Sequence, residues 1–308
     1  MAKLMKGETW ADAQKLVRGK PRFQYPVFVE VKADEIRCRV VYRPTGLDEA
    51  GNLCDVVQFL SYADKPLHNM GFLIEPLARW FKGDIYTELD IGIEVNGNFN
   101  DSYRWTQSST GIPEEKVDKK TGKVSPALDV SMVKLLMFDL PESHLPYKAR
   151  REVVACIAGE LQEVGINAKI PQGELCHTAE QVVAVYLKYR VLNHEGAMVK
   201  TTDHLYERRR TYGWMKLKPQ ETFDGRITGV NRAHSIAGEP LNRIGSVTVV
   251  LEDGSTADPA GFPHGLGADI WANPEAYIGK WIEFQAMEVD RAGGYRHPFF
   301  KRFREDKA

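Results

Sequence analysis

Pro219 divides this chain into two stretches that cannot share one pattern of packing. Before it, strand-like alternation is interleaved with segments of helical spacing. After it, DGRITGV, SVTVVLEDG and KWIEFQAMEV follow one another as short strands broken by Gly and Asp-Gly turns. At 308 residues the chain also exceeds the roughly 250 to 300 residues at which single hydrophobic cores stop growing. Two domains are therefore expected, a larger one followed by a small β-barrel, with the boundary near Gln220 to Phe223.

The composition, 43% hydrophobic and 27% charged, is that of an ordinary globular protein. MAKLMKGETWADAQKLVRGK lacks the apolar core of a signal peptide, and no later stretch reaches the roughly 20 apolar residues that span a bilayer. A soluble intracellular protein is expected. Cys38, Cys54, Cys156 and Cys176 lie far apart and form no C-x-x-C pair, which excludes a zinc ribbon or a disulfide framework as the organising device. The net charge of -1 rules out a uniformly basic coat but conceals two cationic clusters. One comprises Lys200, Arg208, Arg209, Arg210, Lys216 and Lys218; the other comprises Arg291, Arg296, Lys301, Arg302 and Arg304.

VFVEVK (27–32) alternates, so Val27, Val29 and Val31 take one face of a strand and Phe28, Glu30 and Lys32 the other. The alternation of DIYTELDIGIEV (84–95) sets Ile85, Leu89, Ile91, Ile93 and Val95 against Glu88, Asp90 and Glu94. MVKLLMFDL (132–140) is a buried-type strand with Phe138 near its end. Val153, Val154, Ile157, Leu161 and Val164 recur at helical spacing, and Thr178 with Gln181 forms a capping box ahead of a second helix. Residues 110–127 are charged and aperiodic, as in an exposed loop.

In EVKADEIR (30–37), Glu30, Lys32 and Asp34 stand at alternate positions and can face one pocket. A lysine is a nucleophile only when uncharged, and its reference pKa near 10.4 means that burial or neighbouring cations must assist. Alone, a lysine beside an aspartate is a common surface pattern. Its companions sharpen it. GWMKLKP (213–219) puts Trp214, Lys216 and Lys218 on one strand face, an arrangement suited to a phosphate-bearing nucleotide. HEGAMVK (194–200) supplies Glu195 and Lys200, although strict alternation would send those two to opposite faces. Magnesium needs only one or two protein carboxylates, and Glu195 with Glu88 would suffice.

EVKADEIR, YTEL, LMFDL, HEGAMVK, WMKLKP and YRHPFFKRFRED, in this order, resemble the ATP-dependent DNA ligases, above all the short two-domain enzymes of bacteriophages. The resemblance covers nearly the whole chain. It implies an α+β fold: an adenylylation (nucleotidyltransferase) domain over 1–221, with antiparallel sheets and flanking helices, then an OB-fold β-barrel over 222–308. Lys32 matches the lysine that is adenylylated by ATP, and Glu30 the acid that reads the adenine amino group. Arg37 matches the arginine near the ribose and the nick, Glu88 the glutamate of the third motif, and Phe138 the aromatic that stacks on adenine. Lys216 and Lys218 match the phosphate-binding pair, Glu195 a metal-binding glutamate. Lys200, Arg208, Arg209, Arg210, Arg296, Lys301 and Arg302, with Arg37, are the implied DNA contacts. The implied partners are ATP, Mg2+ and nicked double-stranded DNA, for a monomer in the cytoplasm of a bacterial or phage-infected cell. An RNA ligase, an mRNA guanylyltransferase or a degenerate DNA-binding homologue are the alternatives. Three positions depart from the family pattern. Glu35 stands where glycine is usual, Tyr62 where an arginine often stands, and Tyr86-Thr87-Glu88 replaces Asp-Gly-Glu, leaving Glu94 as a rival for the third-motif glutamate.

Overall fold

The computed structural model describes residues 4–47, 53–117, 122, 124–219, 221–235, 237–286, 294–295 and 298–307. The chain forms two compact units, Met1–Leu217 and Lys218–Ala308. The first contains strands β1 (Lys6–Thr9), β2 (Val27–Lys32), β3 (Ile36–Leu47), β4 (Leu53–Ser61), β5 (Glu88–Val95), β6 (Lys116–Val117), β7 (Val124–Ser125), β8 (Val133–Asp139), β9 (Ala168–Lys169), β10 (Gly173–Cys176), β11 (Gly196–Thr201) and β12 (Arg210–Leu217). Its helices are α1 (Trp10–Gln14), α2 (Ile74–Phe81), α3 (Phe99–Gln107), α4 (Tyr147–Glu163) and α5 (Ala179–Val191).

Two five-stranded sheets organise this unit, one in the order β1-β12-β11-β2-β10 and the other β4-β3-β5-β8-β9. Most neighbours are antiparallel, as expected. The edge pairs β1 with β12 and β8 with β9 are parallel, so the sheets are mixed. In the first sheet, Val27, Val29, Ala197, Val199 and Met215 are buried together against α5, while Glu30, Met198 and Lys216 stand abreast on the other face. In the second, Cys38, Val40, Leu89, Ile91 and Ile93 lie in a core closed by α2 and α4. The opposite face carries the acidic row of β5.

Local signals explain the elements. Thr178 accepts a hydrogen bond from the Gln181 amide at 3.3 Å, and the Gln181 side chain accepts one from His177 N, so α5 begins where its capping residues satisfy the first free amides. In α4, Val154, Ile157 and Leu161 are buried at helical spacing, whereas Val164 is exposed just past the end. The strand expected from residue 84 begins at Glu88. Ile85 is 87% exposed, because the Asp84 carboxylate turns back to cap the amide of Tyr86 and breaks the alternation there. Within 110–127, the described residues include the short antiparallel pair of β6 and β7.

The second unit contains β13 (Glu221–His234), β14 (Pro240–Val250), β15 (Thr256–Ala257), α6 (His264–Ala272), β16 (Trp281–Ala286) and β17 (Phe299–Phe303), with the sheet order β15-β14-β13-β16-β17. Ile227, Val247, Val249, Ile282 and Phe284 form its core, and Ile270 brings α6 onto it. Ala260 bridges Ser246 of β14 and Phe299 of β17. Among the described residues, no helix is long and apolar enough to cross a membrane.

Candidate active site

The polar faces of the two sheets in the first unit enclose a cavity of about 260 Å³. Lys32, at the end of β2, and Asp34 in the turn that follows line it from one side. Glu94 of β5 with Lys134 and Leu136 of β8 line it from the other, and the connection from β9 to β10 (residues 170–172) closes the floor. Glu195 reaches the same space from the residue before β11 and forms an ion pair with Lys32. Its place just off the strand end removes the difficulty raised by alternation. Gly196 pairs with Lys32, so Glu195 meets the lysine without sharing a face with Lys200.

Glu30 lies two residues back on the same face, 2% exposed. Its carboxylate accepts from Arg151 Nε at 2.8 Å and from the Tyr147 hydroxyl, and pairs with Lys200 Nζ at 2.7 Å. Burial alone would raise the Glu30 pKa. The charges of Lys200 and Arg151 and the bonds from Lys200 and Tyr147 outweigh it and hold the group below the usual carboxylate range. Lys200 is itself 1% exposed and lies 4.1 Å from the centroid of Trp214. Its ammonium is therefore engaged inside the unit and presents no charge at the surface, where an exposed DNA contact was expected. The Trp214 indole N–H is buried and makes no hydrogen bond among the described residues.

Behind the cavity, Arg37 forms a two-point pair with Asp90, Nε to Oδ1 at 2.9 Å and Nη2 to Oδ2 at 2.5 Å, and stacks on Trp214. The Tyr206 hydroxyl donates to Asp90 at 2.7 Å and accepts from Met5 N. Burial opposes the charge on Arg37, but Asp90 more than restores it and raises the guanidinium pKa above its ordinary value. Tyr147, Arg151 and Tyr206 were not singled out from sequence, and Asp90 was noted only as one of three acids on a strand face. The Y-x-R spacing of Tyr206 and Arg208 within LYERRR was the available signal.

The structure separates the two expected metal ligands. Glu195 lines the cavity, whereas Glu88 does not; it is held by both nitrogens of Arg208, at 2.7 and 3.0 Å, and by Arg39 at 3.6 Å. Glu94 does line the cavity and pairs with Lys134. No group of three or more His, Cys, Asp or Glu able to hold a metal ion occurs among the described residues. Phe138 stands next after Leu136 on the same face of β8, and its ring packs over Gly92 together with the Glu35 side chain. Tyr62 carries Lys6 Nζ at 3.4 Å from its ring centroid, which brings a cation to that position.

Of the remaining candidates, Lys216 is half-buried on β12 and Lys218 is the first residue of the second unit. Arg209 pairs with Glu207, and Arg210 is exposed. In the second unit Arg302 pairs with Glu283 at 2.8 Å, Lys301 is exposed on β17, and Arg296 lies outside the described residues.

No family model matches the chain. Over 131 residues, 41% of its length, it is 32% identical to the DNA ligase of Enterobacteria phage T3. The likeness in sequence is thus to a phage DNA ligase, over part of the chain. The matched segment spans 37% of that relative, less than half its length. Among solved structures, one titled for the Lig E DNA ligases is similar over 98% of both chains with a TM-score of 0.66 at 15% identity. The ATP-dependent DNA ligase from bacteriophage T7, in complex with ATP, is similar over 98% of both chains with a TM-score of 0.54 at 20% identity. The fold is that of these DNA ligases, with the cavity around Lys32 between its two sheets.

Proposed function

We propose that this protein is an ATP-dependent DNA ligase that seals nicks in duplex DNA through a covalent Lys32–AMP intermediate. The observation that carries the reading is the seating of Lys32: a strand-end lysine inside an inter-sheet cavity, held by one carboxylate, in a chain related to phage DNA ligases. Lys32 Nζ attacks the α-phosphorus of ATP, a P–N bond forms, and the P–O bond to pyrophosphate breaks. Glu195, which accepts a hydrogen bond from Nζ, is placed to take the proton lost by the amine. AMP then passes to the 5′-phosphate of the nick, and the 3′-hydroxyl displaces it as the phosphodiester forms.

Each transfer moves charge onto phosphate oxygens, so fixed cations and positioning matter more than acid-base groups. Lys216 and Lys218 are assigned to the phosphates, Phe138 to the adenine face, Arg37 to the ribose and nick, and Glu30 to the edge of the base. Magnesium, which binds few protein carboxylates and keeps most of its waters, fits Glu195 with Glu94 better than Glu195 with Glu88, because the first two line one cavity. When bound it would neutralise phosphate charge. Residues 1–221 are read as the adenylylation domain and 222–308 as an OB-fold. The five strands and the Ala260 bridges support the second assignment. Nicked duplex would be held mainly through its phosphates, with Arg209, Arg210, Lys301 and Arg302 among the exposed cations of the described residues.

The test is to strip the protein with pyrophosphate, incubate it with magnesium and either ATP or GTP, and measure the mass of the product. The reading requires a single AMP from ATP, none on Lys32→Ala, and its discharge onto a nicked DNA duplex with joining. An unmodified wild type, or an adduct that survives in Lys32→Ala, overturns it.

A further inference from the structure

Along β5 the residues facing the cavity side are Glu88, Asp90, Gly92 and Glu94, an acidic row with one side chain missing. The missing position is not empty space. Glu35, from the turn after Lys32, lays its side chain over Gly92, and the Phe138 ring closes on the same spot, 2.6 Å from where a Cβ at 92 would stand. Any larger residue at 92 would evict one of them. A glycine is thus matched to a glutamate that supplies, from the other wall, the carboxyl the row lacks.

The other three acids of the row are engaged: Glu88 by Arg208, Asp90 by Arg37 and Tyr206, Glu94 by Lys134. Among the described residues, Glu35 makes no hydrogen bond or ion pair to another residue that fixes its carboxyl. Burial raises the Glu35 pKa above the usual carboxylate range, the charges of Lys32 and Arg37 work against that rise, and Glu195 adds to it. A half-buried carboxyl without a fixed donor, beside an aromatic face and near the nucleophile, is an acceptor awaiting a ligand.

We propose that Glu35 is a specificity-determining residue that accepts hydrogen bonds from the sugar hydroxyls of the nucleotide and thereby selects ribonucleoside over deoxyribonucleoside triphosphates. This rests on the reading of Lys32 as the adenylylated residue and Phe138 as the base platform. A nucleotide with its α-phosphate at Lys32 and its base on Phe138 spans the two with its sugar, and Glu35 packs beside the Phe138 ring over Gly92 within reach of the Lys32 charge. The sugar presents two O–H donors, and a carboxyl oxygen accepts such bonds.

The experiment measures the single-turnover rate of Lys32 adenylylation with ATP, 2′-deoxyATP and 3′-deoxyATP, for wild type, Glu35→Ala and Glu35→Gln. Wild type should prefer ATP over at least one deoxy analogue by about tenfold or more, the loss expected when a charged acceptor forfeits its donor. Glu35→Ala should reduce that preference to about threefold or less, and Glu35→Gln, which keeps a carbonyl acceptor, should fall between. Because the readout is a ratio within each variant, a general loss of folded protein cancels. Wild type that accepts all three equally, or Glu35→Ala that keeps the wild-type ratio, overturns the assignment. Failure of wild type to form any adduct would instead strike the ligase reading.

Discussion

Replacing Glu30 with alanine should destabilise the first unit more than any loss of contact area would suggest, because it strands Lys200. That lysine is 1% exposed, and its ammonium is held by the Glu30 carboxylate at 2.7 Å with the Tyr147 hydroxyl at 3.1 Å. Without Glu30, a buried cation keeps only a neutral oxygen and the faces of Trp214 and Tyr147. Removing one partner of a buried ion pair costs about 3 to 5 kcal/mol. Arg151, with a side chain 18% exposed, can be rehydrated and adds less. For a unit of this size each kcal/mol lowers the midpoint by about 2 to 4 °C, so Glu30→Ala should fall by about 6 to 20 °C. Urea unfolding followed by tryptophan fluorescence is the assay, with Trp214 beside the lesion. Lys200→Met alone should also destabilise, and the Glu30→Ala, Lys200→Met pair should recover most of the loss. The sign with pH follows from the depressed Glu30 pKa: its contribution is present at neutral pH and is lost as pH falls through the folded-state value. Wild type and Glu30→Ala should therefore converge in acid. A cost below about 1 kcal/mol, or a double variant no better than the single, would refute the reasoning.

Two further outcomes are expected. Gly261 has φ +83°, and a Cβ there would run into the Phe299 ring, so Gly261→Ala should destabilise the second unit by about 1 to 3 kcal/mol, read from its unfolding transition. Burial pushes the His204 pKa down to about 4, so the ring stays neutral in the folded state while the unfolded chain takes up a proton near pH 6.5. Stability should fall as pH drops from about 6.5 towards 4; His204→Asn should flatten that slope, and an unchanged slope would remove His204 as its source.

The grouping of the candidate site's residues was legible where one strand carries a buried face and a polar one. The alternation of VFVEVK put Glu30 and Lys32 together, and that of GWMKLKP separated Trp214 and Lys216 from the buried Met215. What escaped was contributed across long sequence separations. Tyr147 and Arg151 of α4 meet Glu30 from more than one hundred residues away, and Tyr206 meets Asp90 from as far. No local period encodes such a meeting, since it depends on how the two sheets face each other. The same limit misjudged Lys200, which reads as a surface cation by composition but is buried because Phe28 and Trp214 flank it on the neighbouring strands. Glu88 and Glu94 share a strand face, and periodicity could not separate them. Only the Arg208 pairing on one and the cavity beside the other do so.

The Ala260 bridges bear on what the outer edge of β17 leaves open to another strand. Phe300 N donates to Ala260 O at 2.8 Å, and Ala260 N donates to Pro298 O at 3.0 Å, so a single residue of the chain occupies the outer rim of β17. Bare rims of this sort invite strands from other molecules and seed self-association. Here the rim beside Phe299 and Phe300 is already spoken for, and Lys301 sets an exposed cation next to it.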